Sequence, residues 1–273
     1  MQLLFSTITF VIIFTTLYSY GQVISKKIYN NKFEDIFFKI LIGYIFIGML
    51  TVIFHFFFRI HDLFSLMVIT VAIILFIFFN FKDYKKEFII VLFLILLIGP
   101  LLYGYSNHPI DANMYHHPYV SYLKSEKIIF GIANIQFRFG HISFLQYVQS
   151  ALTNDYLHTI SFTSINIIFY ISFIFFISKK IFYQKKFDYI FLINILIGCF
   201  LLIKFGRYRE HGNDLIPLLV SLYFFIQILE TIDNNKHFQR YLINLALPFC
   251  AFIFAHKISY VFSILMFLLL IDF

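Results

Sequence analysis

Long apolar runs alternate with short polar segments along almost the whole chain. Each run approaches the roughly 20 residues that an α-helix needs to cross the hydrocarbon core of a bilayer. The first run lacks a basic leading segment and a small-residue cleavage site, so we interpret it as a span rather than a cleaved leader. The pattern therefore predicts nine membrane-spanning helices. They cover approximately residues 3–20, 36–58, 63–81, 87–105, 158–178, 188–204, 214–231, 241–255 and 258–272.

The composition agrees with a membrane protein. Hydrophobic residues make up 61% of the chain and charged residues 13%, whereas charged residues are about 25% of an average soluble domain. A transmembrane β-barrel would instead show alternating segments of about ten residues. The predicted fold class is all-α, a polytopic transmembrane helix bundle. It forms a single transmembrane domain over residues 1–273, with spans in 1–105, a long loop over 106–157 and further spans in 158–273.

Basic residues predict the orientation of the bundle. Of the 21 Lys and Arg residues, thirteen lie at Lys39 or in the loops 21–35, 82–86, 179–187 and 232–240. Because cytoplasmic loops carry an excess of Lys and Arg close to the span ends, these loops are predicted to be cytoplasmic. The long loop then lies on the extracytoplasmic side. The net charge of +7 is spread over short loops rather than along one stripe, so it does not indicate nucleic-acid binding.

The long loop carries an unusual set of polar and aromatic side chains. Nine of the ten histidines fall on the predicted outer side of the membrane. Aromatic and apolar residues recur at helical spacing from Tyr115 to Leu123 and again from Ile142 to Leu152, so we expect two helices there. Both would be amphipathic and would lie along the membrane surface. An interfacial aromatic belt without a catalytic role would give the same pattern.

Asp111 is the most informative single residue of this loop. A carboxylate just beyond the end of a span can cap a helix N-terminus, or it can act as a general base at the lipid–water boundary. His116 and His117 are candidate metal ligands by residue type. However, neighbouring positions on a helix point in different directions, and no HExxH spacing is present. Cys199 and Cys250 both lie inside apolar runs and are interpreted as packing residues.

A second polar cluster is "KFGRYREHGND", residues 204–214, between the sixth and seventh predicted spans. Arg207 and Arg209 offer planar guanidinium groups that match phosphate oxygens, and His211 lies beside them in the sequence. A solvated loop would also be charged, so both interpretations stay open. Lys257, at the start of the ninth predicted span, is a further cation on the same side. Charges at a span boundary favour a functional site.

With these residues in view, the long loop resembles the first extracytoplasmic loop of the GT-C superfamily of membrane glycosyltransferases, of the dolichyl-phosphate-mannose mannosyltransferase type. Asp111, followed by "MYHHPYVSYLKSEKIIFGIANIQFRFGHISFLQYVQSAL", is similar to their pattern of an acid, then Tyr-His and often Pro. A surface helix, a Gly turn, an Arg and a second helix follow in that pattern. The likeness is greatest to a poorly characterised bacterial branch of multi-span proteins and covers about forty residues.

The resemblance implies a function and a set of site residues. Such enzymes transfer a sugar from a polyprenyl-phosphate-linked donor to a glycan, lipid or protein acceptor. In bacteria they act at the extracytoplasmic face of the inner (cytoplasmic) membrane. Asp111 would be the catalytic base that takes a proton from the acceptor hydroxyl. Substrate binding, with the basic residues holding the donor phosphate, would fall to Tyr115, His116, Arg138, Arg207, Arg209, His211 and Lys257.

The same resemblance implies the partners. They are the lipid-linked sugar donor, membrane lipid and the acceptor, with no nucleic acid among them. No cofactor is implied with certainty, and the sequence leaves a divalent metal open.

The chain departs from the family pattern in two respects. Four predicted spans precede the loop, where family members often have one, and the chain stops at "LLLIDF" without a polar tail. The second departure raises the expectation of a fragment or a truncated gene. The alternative function is a transporter, flippase or polymerase-like protein of lipid-linked saccharides. A transporter should carry ionisable residues in the middle of its spans and internal repeats. The sequence shows almost none of the former and no repeat.

Overall fold

Helices account for nearly all of the structure. A computed structural model describes residues 2–29, 35–79, 85–104, 112–134, 139, 144–184, 187–204, 212–232 and 236–270. Within these ranges there is no β-sheet, only an isolated bridge between Asn154 and Thr159. The predicted all-α class is therefore confirmed.

Within the described ranges, ten α-helices follow one another. They are α1 (Gln2–Tyr29), α2 (Ile36–His55), α3 (Asp62–Phe79), α4 (Lys85–Gly104), α5 (His117–Ser125), α6 (Phe144–Leu152), α7 (Ser164–Tyr183), α8 (Tyr189–Ile203), α9 (Leu215–Ile232) and α10 (Lys236–His256). A π-helical turn, Ala112–His116, leads into α5. Two 3-10 segments cover Ile132–Asn134 and Ile258–Leu270.

Five helices in the described part of the chain are long and apolar enough to cross a membrane. They are Leu4–Ile28, Ile36–His55, Asp62–Phe79, Ser164–Tyr183 and Leu215–Ile232. Tyr189–Ile203 and Leu242–His256 are apolar but shorter. A membrane-type helical protein is thus supported, and the remaining four of the nine spans stay predictions.

Aspartate caps fix the start of two apolar helices. The side chain of Asp35 accepts a hydrogen bond from Phe38 N at 2.9 Å, and Asp188 accepts one from Phe191 N at the same distance. Each carboxylate satisfies one of the N–H groups that the first turn of a helix leaves without an intrahelical partner. These caps explain why α2 and α8 begin where a polar segment ends.

The chain divides into two compact units. The first comprises Met1–Ser172 and Gly206–Gly212, and the second comprises Phe173–Phe205 and Asn213–Phe273. Each unit is described by itself below.

In the first unit, α1 packs against α2, α3 and α4. The crossing of α1 and α2 is very close because glycines lie on both helices. A Cβ atom added to Gly21 would overlap the carbonyl oxygen of Lys39, and one added to Gly43 would overlap the carbonyl oxygen of Leu17. Small residues allow the backbones of membrane helices to approach in this way. Gly21 and Gly43 therefore set the spacing of the two helices.

The short helix α6 lies at the centre of the first unit. It packs against α2, α3 and α5, and every side chain from Leu145 to Leu152 is buried. The predicted helix is confirmed at this place, but the exposed polar face of an amphipathic surface helix is absent. The polar side chains of α6 are instead bonded within the unit, for example Ser150, whose hydroxyl donates to Tyr147 O at 2.8 Å.

The helix after α6 starts later than the sequence pattern predicts. The predicted span begins at residue 158, whereas α7 begins at Ser164. The preceding residues form a turn closed by the Asn154–Thr159 bridge. The Thr159 hydroxyl donates to Leu152 O at 2.9 Å, and the Ser161 hydroxyl donates to Gln149 O at 2.6 Å. Side chains that bond to the backbone in this way compete with helix formation.

In the second unit, aromatic contacts and an ion pair join the helices. Phe224 of α9 lies 5.1 Å from Phe249 of α10 and 5.9 Å from Phe267, measured between ring centroids. Lys180 of α7 donates to the Glu230 carboxylate of α9 at 2.6 Å. Both charged side chains lie near the ends of their helices and keep about 30% of their surface exposed, at 31% and 27%.

Candidate functional site

The residues that follow Asp111 in the chain form a helical turn that is buried at Ala112 and His116 and exposed at Asn113 and Met114. The π-helical turn Ala112–His116 continues directly into α5, and Pro118 lies in the first turn of that helix, where its missing N–H has no cost. Ala112 and His116 are both buried.

His116 is bonded to the central helix α6. The side-chain Nε2 of Gln146 donates a hydrogen bond to Nδ1 of His116 at 2.6 Å, and both side chains are buried. An imidazole that accepts at Nδ1 carries its proton on Nε2 when neutral. The ring of Tyr115 lies 4.2 Å from the ring of His116. These contacts hold the Tyr-His pair of the loop against α6.

His117 has a different partner from His116. Its ring stacks on Phe162, with 4.2 Å between the ring centroids and 27° between the planes. Gln149 of α6 donates through Nε2 to the carbonyl oxygen of Phe162 at 2.8 Å.

Buried acceptor atoms surround these contacts. Gln149 Oε1, Thr163 Oγ1 and Asn166 Oδ1 are buried without a hydrogen-bond partner among the described residues. Thr163 immediately follows Phe162, and Asn166 lies three residues further on, on the same side of the first turn of α7. We refer to the following residues together as the polar cluster: His116, His117, Gln146, Gln149, Thr163 and Asn166.

A backbone contact connects the polar cluster to the end of the second polar segment. Asn166 donates through Nδ2 to the carbonyl oxygen of Gly212 at 3.0 Å. His211 directly precedes Gly212 in the sequence, and Arg209 precedes it by three residues.

A three-way contact holds α5 in position. Lys124 near its end forms an ion pair with Asp62, the first residue of α3, at 2.5 Å. The same ammonium group donates to the carbonyl oxygen of Thr153, just after α6, at 3.0 Å. Asn154 donates to the backbone oxygen of Asp62 at 2.9 Å. We call Asp62, Lys124, Thr153 and Asn154 the clasp.

Two tyrosines pack between α5 and α6. Burial raises the pKa of the Tyr119 phenol well above its usual range, with further contributions from the charge and hydrogen bond of Tyr147. Burial likewise raises the pKa of Tyr147, which the hydrogen bond from Tyr119 partly offsets. Both phenols therefore stay protonated at physiological pH and act as neutral hydrogen-bonding groups.

The structure describes three of the eight predicted site residues. Tyr115 and His116 lie together in the first unit. Lys257 lies in the second unit, where it is ion-paired with Asp214. Its charge is thus partly satisfied within the protein. The other predicted site residues lie outside the described ranges: Asp111, Arg138, Arg207, Arg209 and His211.

The amides of the polar cluster were missed by the sequence analysis. Gln146 and Gln149 are three residues apart in an otherwise apolar helix, a spacing that places both on one face. This spacing could have pointed to the two amides, but the polar side of an amphipathic surface helix has the same spacing. Among the residues that the structure describes, no group of three or more His, Cys, Asp or Glu side chains is placed to hold a metal ion.

Comparison with known proteins gives one match. No curated protein matches the chain. No solved structure matches it. A family model described as "Domain of unknown function (DUF8201)" matches residues 3–273. The match covers nearly the whole sequence, and the chain belongs to the DUF8201 family.

Proposed function

We propose that the protein is an integral membrane glycosyltransferase that moves a sugar from a polyprenyl-phosphate-linked donor to an acceptor hydroxyl. One observation carries the proposal. Ala112 and His116, which follow Asp111 in the chain, are buried, and His116 bonds to Gln146 of the polar cluster. In the same cluster, Gln149 and Asn166 carry buried oxygen atoms without a hydrogen-bond partner among the described residues. Sugars present many hydroxyl groups, and a site built to hydrogen-bond hydroxyls selects them strongly.

The proposed chemistry assigns a role to each group. The Asp111 carboxylate takes the proton of the acceptor hydroxyl, whose oxygen attacks the anomeric carbon of the donor sugar. The bond between that carbon and the phosphate oxygen breaks, and the polyprenyl phosphate leaves with the electron pair. Base catalysis of this kind contributes roughly 10²–10⁴-fold to the rate.

The cations of the second polar segment are assigned to the leaving phosphate. Arg207 and Arg209 offer forked guanidinium groups that match phosphate geometry, and His211 lies between them and Gly212 in the sequence. The bond from Asn166 to Gly212 supports this assignment, because it joins the end of that segment to the polar cluster. Arg138, Tyr115 and His116 complete the proposed substrate contacts.

Lys257 takes a separate place in the proposal. Its ion pair with Asp214 leaves it able to bind phosphate only in exchange for that contact.

We further propose nine spans and a bacterial inner-membrane location, with residues 106–157 on the extracytoplasmic face. The excess of Lys and Arg in the opposite loops supports this orientation.

The proposal is tested with membranes from cells that express the gene. The measurement is sugar transfer from a panel of undecaprenyl-phosphate-linked hexoses and pentoses to extracted lipid and glycan acceptors. Asp111→Asn should abolish transfer while the protein level stays unchanged. Asp155→Asn is the matched control, because Asp155 is an exposed acid in the turn after α6, and it should leave transfer intact.

The alternative function, movement of a lipid-linked saccharide across the membrane, gives a different result. In sealed vesicles a transporter would change the sidedness of a labelled lipid-linked saccharide without forming a new glycosidic bond. Normal transfer by Asp111→Asn would refute the assignment of the base. If the gene gives no sugar transfer but does give movement of the lipid-linked saccharide across the membrane, the protein is a transporter and not a glycosyltransferase.

A further inference from the structure

Two short segments at one end of α2 expose a group of apolar side chains. The first is the turn that links α2 to α3, and the second is the loop that follows α5. Phe130 at the tip of that loop is 89% exposed, although Phe is among the residues that proteins bury most often. We call the exposed side chains of the two segments the aromatic rim: Phe56, Phe57, Phe58, Ile129 and Phe130.

The loop after α5 is fixed to the end of α2 by hydrogen bonds. The ring Nε2 of His55 lies 3.0 Å from the carbonyl oxygen of Glu126 and donates to it. Ile60 N donates to the carbonyl oxygen of Leu123 at 3.0 Å. The exposure of Phe130 is therefore a property of an anchored loop, and the two segments lie side by side.

Tyr122 of α5 holds the loop in shape. The Tyr122 hydroxyl donates to Lys127 O and accepts from Ile129 N, both at 3.1 Å. Gly131 then takes the left-handed conformation, with φ of 81°, which lets the chain turn sharply after Phe130. The loop is thus built to present Ile129 and Phe130 outward.

The length of α2 sets the level of the aromatic rim. Its 20 residues span about 30 Å at 1.5 Å per residue, which equals the hydrocarbon thickness of a typical bilayer. His55, at its last turn, then lies at the boundary of the hydrocarbon core. Phe130 follows Glu126 by four residues, so its Cα lies within roughly 15 Å of that boundary.

The charges around the aromatic rim are mainly positive. Arg59 and Lys127 are both exposed, and Glu126 is the one acid within residues 55–61 and 122–134. Aromatic side chains with neighbouring cations are the combination that lies at the headgroup level of membranes, the rings at the interface and the cations at the phosphates.

We propose that the aromatic rim inserts into the phospholipid bilayer, so that the loop after α5 returns to the membrane next to α2. Phe130 and Ile129 enter the acyl-chain boundary, while Arg59 and Lys127 contact lipid phosphates and favour anionic lipid. The partner is the bilayer itself. This inference does not rest on the proposed glycosyl transfer, because it uses only the exposed residues and their anchoring.

The sequence contains no tryptophan, so the fluorescence of an introduced tryptophan reports only on the position where it is placed. Phe130→Trp introduces a single indole at an exposed position, where the packing of the protein is unaffected. The variant is reconstituted in vesicles of phosphatidylcholine and phosphatidylglycerol with brominated acyl chains. The introduced indole should show blue-shifted emission, and brominated lipid should remove more than half of its intensity. Ile74→Trp, on the exposed face of α3, is the positive control for lipid contact.

Two results would overturn the proposal. The first is emission typical of an indole in water, with quenching by aqueous acrylamide and none by brominated lipid. The second is blue-shifted emission that neither brominated lipid nor acrylamide quenches, which would mean that protein covers the rim. A further test concerns the two cations. Quenching of the introduced indole by brominated lipid should increase when the vesicles contain phosphatidylglycerol, and Arg59→Gln and Lys127→Gln should make this increase smaller. Lys86→Gln, an exposed lysine of α4, should leave it unchanged.

Discussion

The side-chain nitrogen of Gln146 lies 2.6 Å from Nδ1 of His116, and both groups are buried. The bond connects the residues after Asp111 to the central helix α6, and it selects one tautomer of the imidazole. The contact therefore has a structural role, and the substrate-binding role of His116 stays a proposal.

Gln146→Leu should destabilise the protein by about 1–3 kcal/mol, because it removes a partner of a buried imidazole without changing the side-chain volume much. The measurement is thermal unfolding in detergent. Gln184→Leu is the matched control, since Gln184 bonds to Asp188 in the connection between α7 and α8. That change should stay within about 0.5 kcal/mol. Equal effects of the two substitutions would contradict a special role for the His116 contact.

The clasp should show coupling in a double-mutant cycle. Lys124→Met removes a charged hydrogen bond to Asp62 and one to Thr153, and we expect a loss of about 1.5–3 kcal/mol. Asp62→Asn combined with Lys124→Met should lose less than the sum, by roughly 0.5–3 kcal/mol. Lys127→Met, three residues further on and exposed, should have little effect on unfolding. Additive losses from the pair would show that the ion pair contributes nothing to stability.

The glycine crossing of α1 and α2 should tolerate no added methyl group. Gly21→Ala and Gly43→Ala each force a Cβ into a backbone carbonyl of the facing helix. Overpacking typically costs about 1–3 kcal/mol, and a backbone obstacle cannot rotate away, so we expect low yields of folded protein. In Gly198→Ala the nearest atom would be Ile177 Cγ2 at 3.7 Å, an ordinary contact. That variant should express normally, and size-exclusion chromatography in detergent compares the three.

Alkaline pH should destabilise the packing of α5 on α6. The pKa of Tyr119 and that of Tyr147 are raised by burial, so the folded state binds these protons more tightly than the unfolded state. Their contribution is fully present below the unfolded pKa of about 10 and is lost as the pH rises toward the folded values. Between about pH 9 and 11, on either side of that reference pKa, the Tyr119→Phe variant should lose less stability than the parent protein. An identical pH dependence of the melting temperature in both proteins would refute this.

The apolar pattern was sufficient to predict the helical class and most helix positions. Runs such as residues 36–58 and 63–81 correspond to α2 and α3, because a membrane helix must satisfy its backbone internally and therefore leaves a continuous apolar signature. The start of α7 was predicted too early. Apolar residues before Ser164 continue the run, while Thr159 and Ser161 use their hydroxyls to hold the chain in a turn.

The candidate site was predictable only in part. Tyr115 and His116 were found as candidates because aromatic and imidazole groups stand out in a polar loop, and their role in a site stays a prediction. Gln146 and Gln149 were not, because periodicity reports which residues share a face but not what that face contacts. Burial of α6 on all sides depends on how α2, α3 and α5 surround it, and such long-range contacts leave no local pattern.

The burial of α6 has a consequence for biogenesis. The ribosome completes α1 to α4 before it makes α6, and at roughly 5–20 residues per second the delay is on the order of 2–8 s. During this interval the surfaces of α2 and α3 that contact α6 in the folded protein have no α6 to cover them. Ribosomes stalled just before α6 should therefore yield a protease-sensitive intermediate.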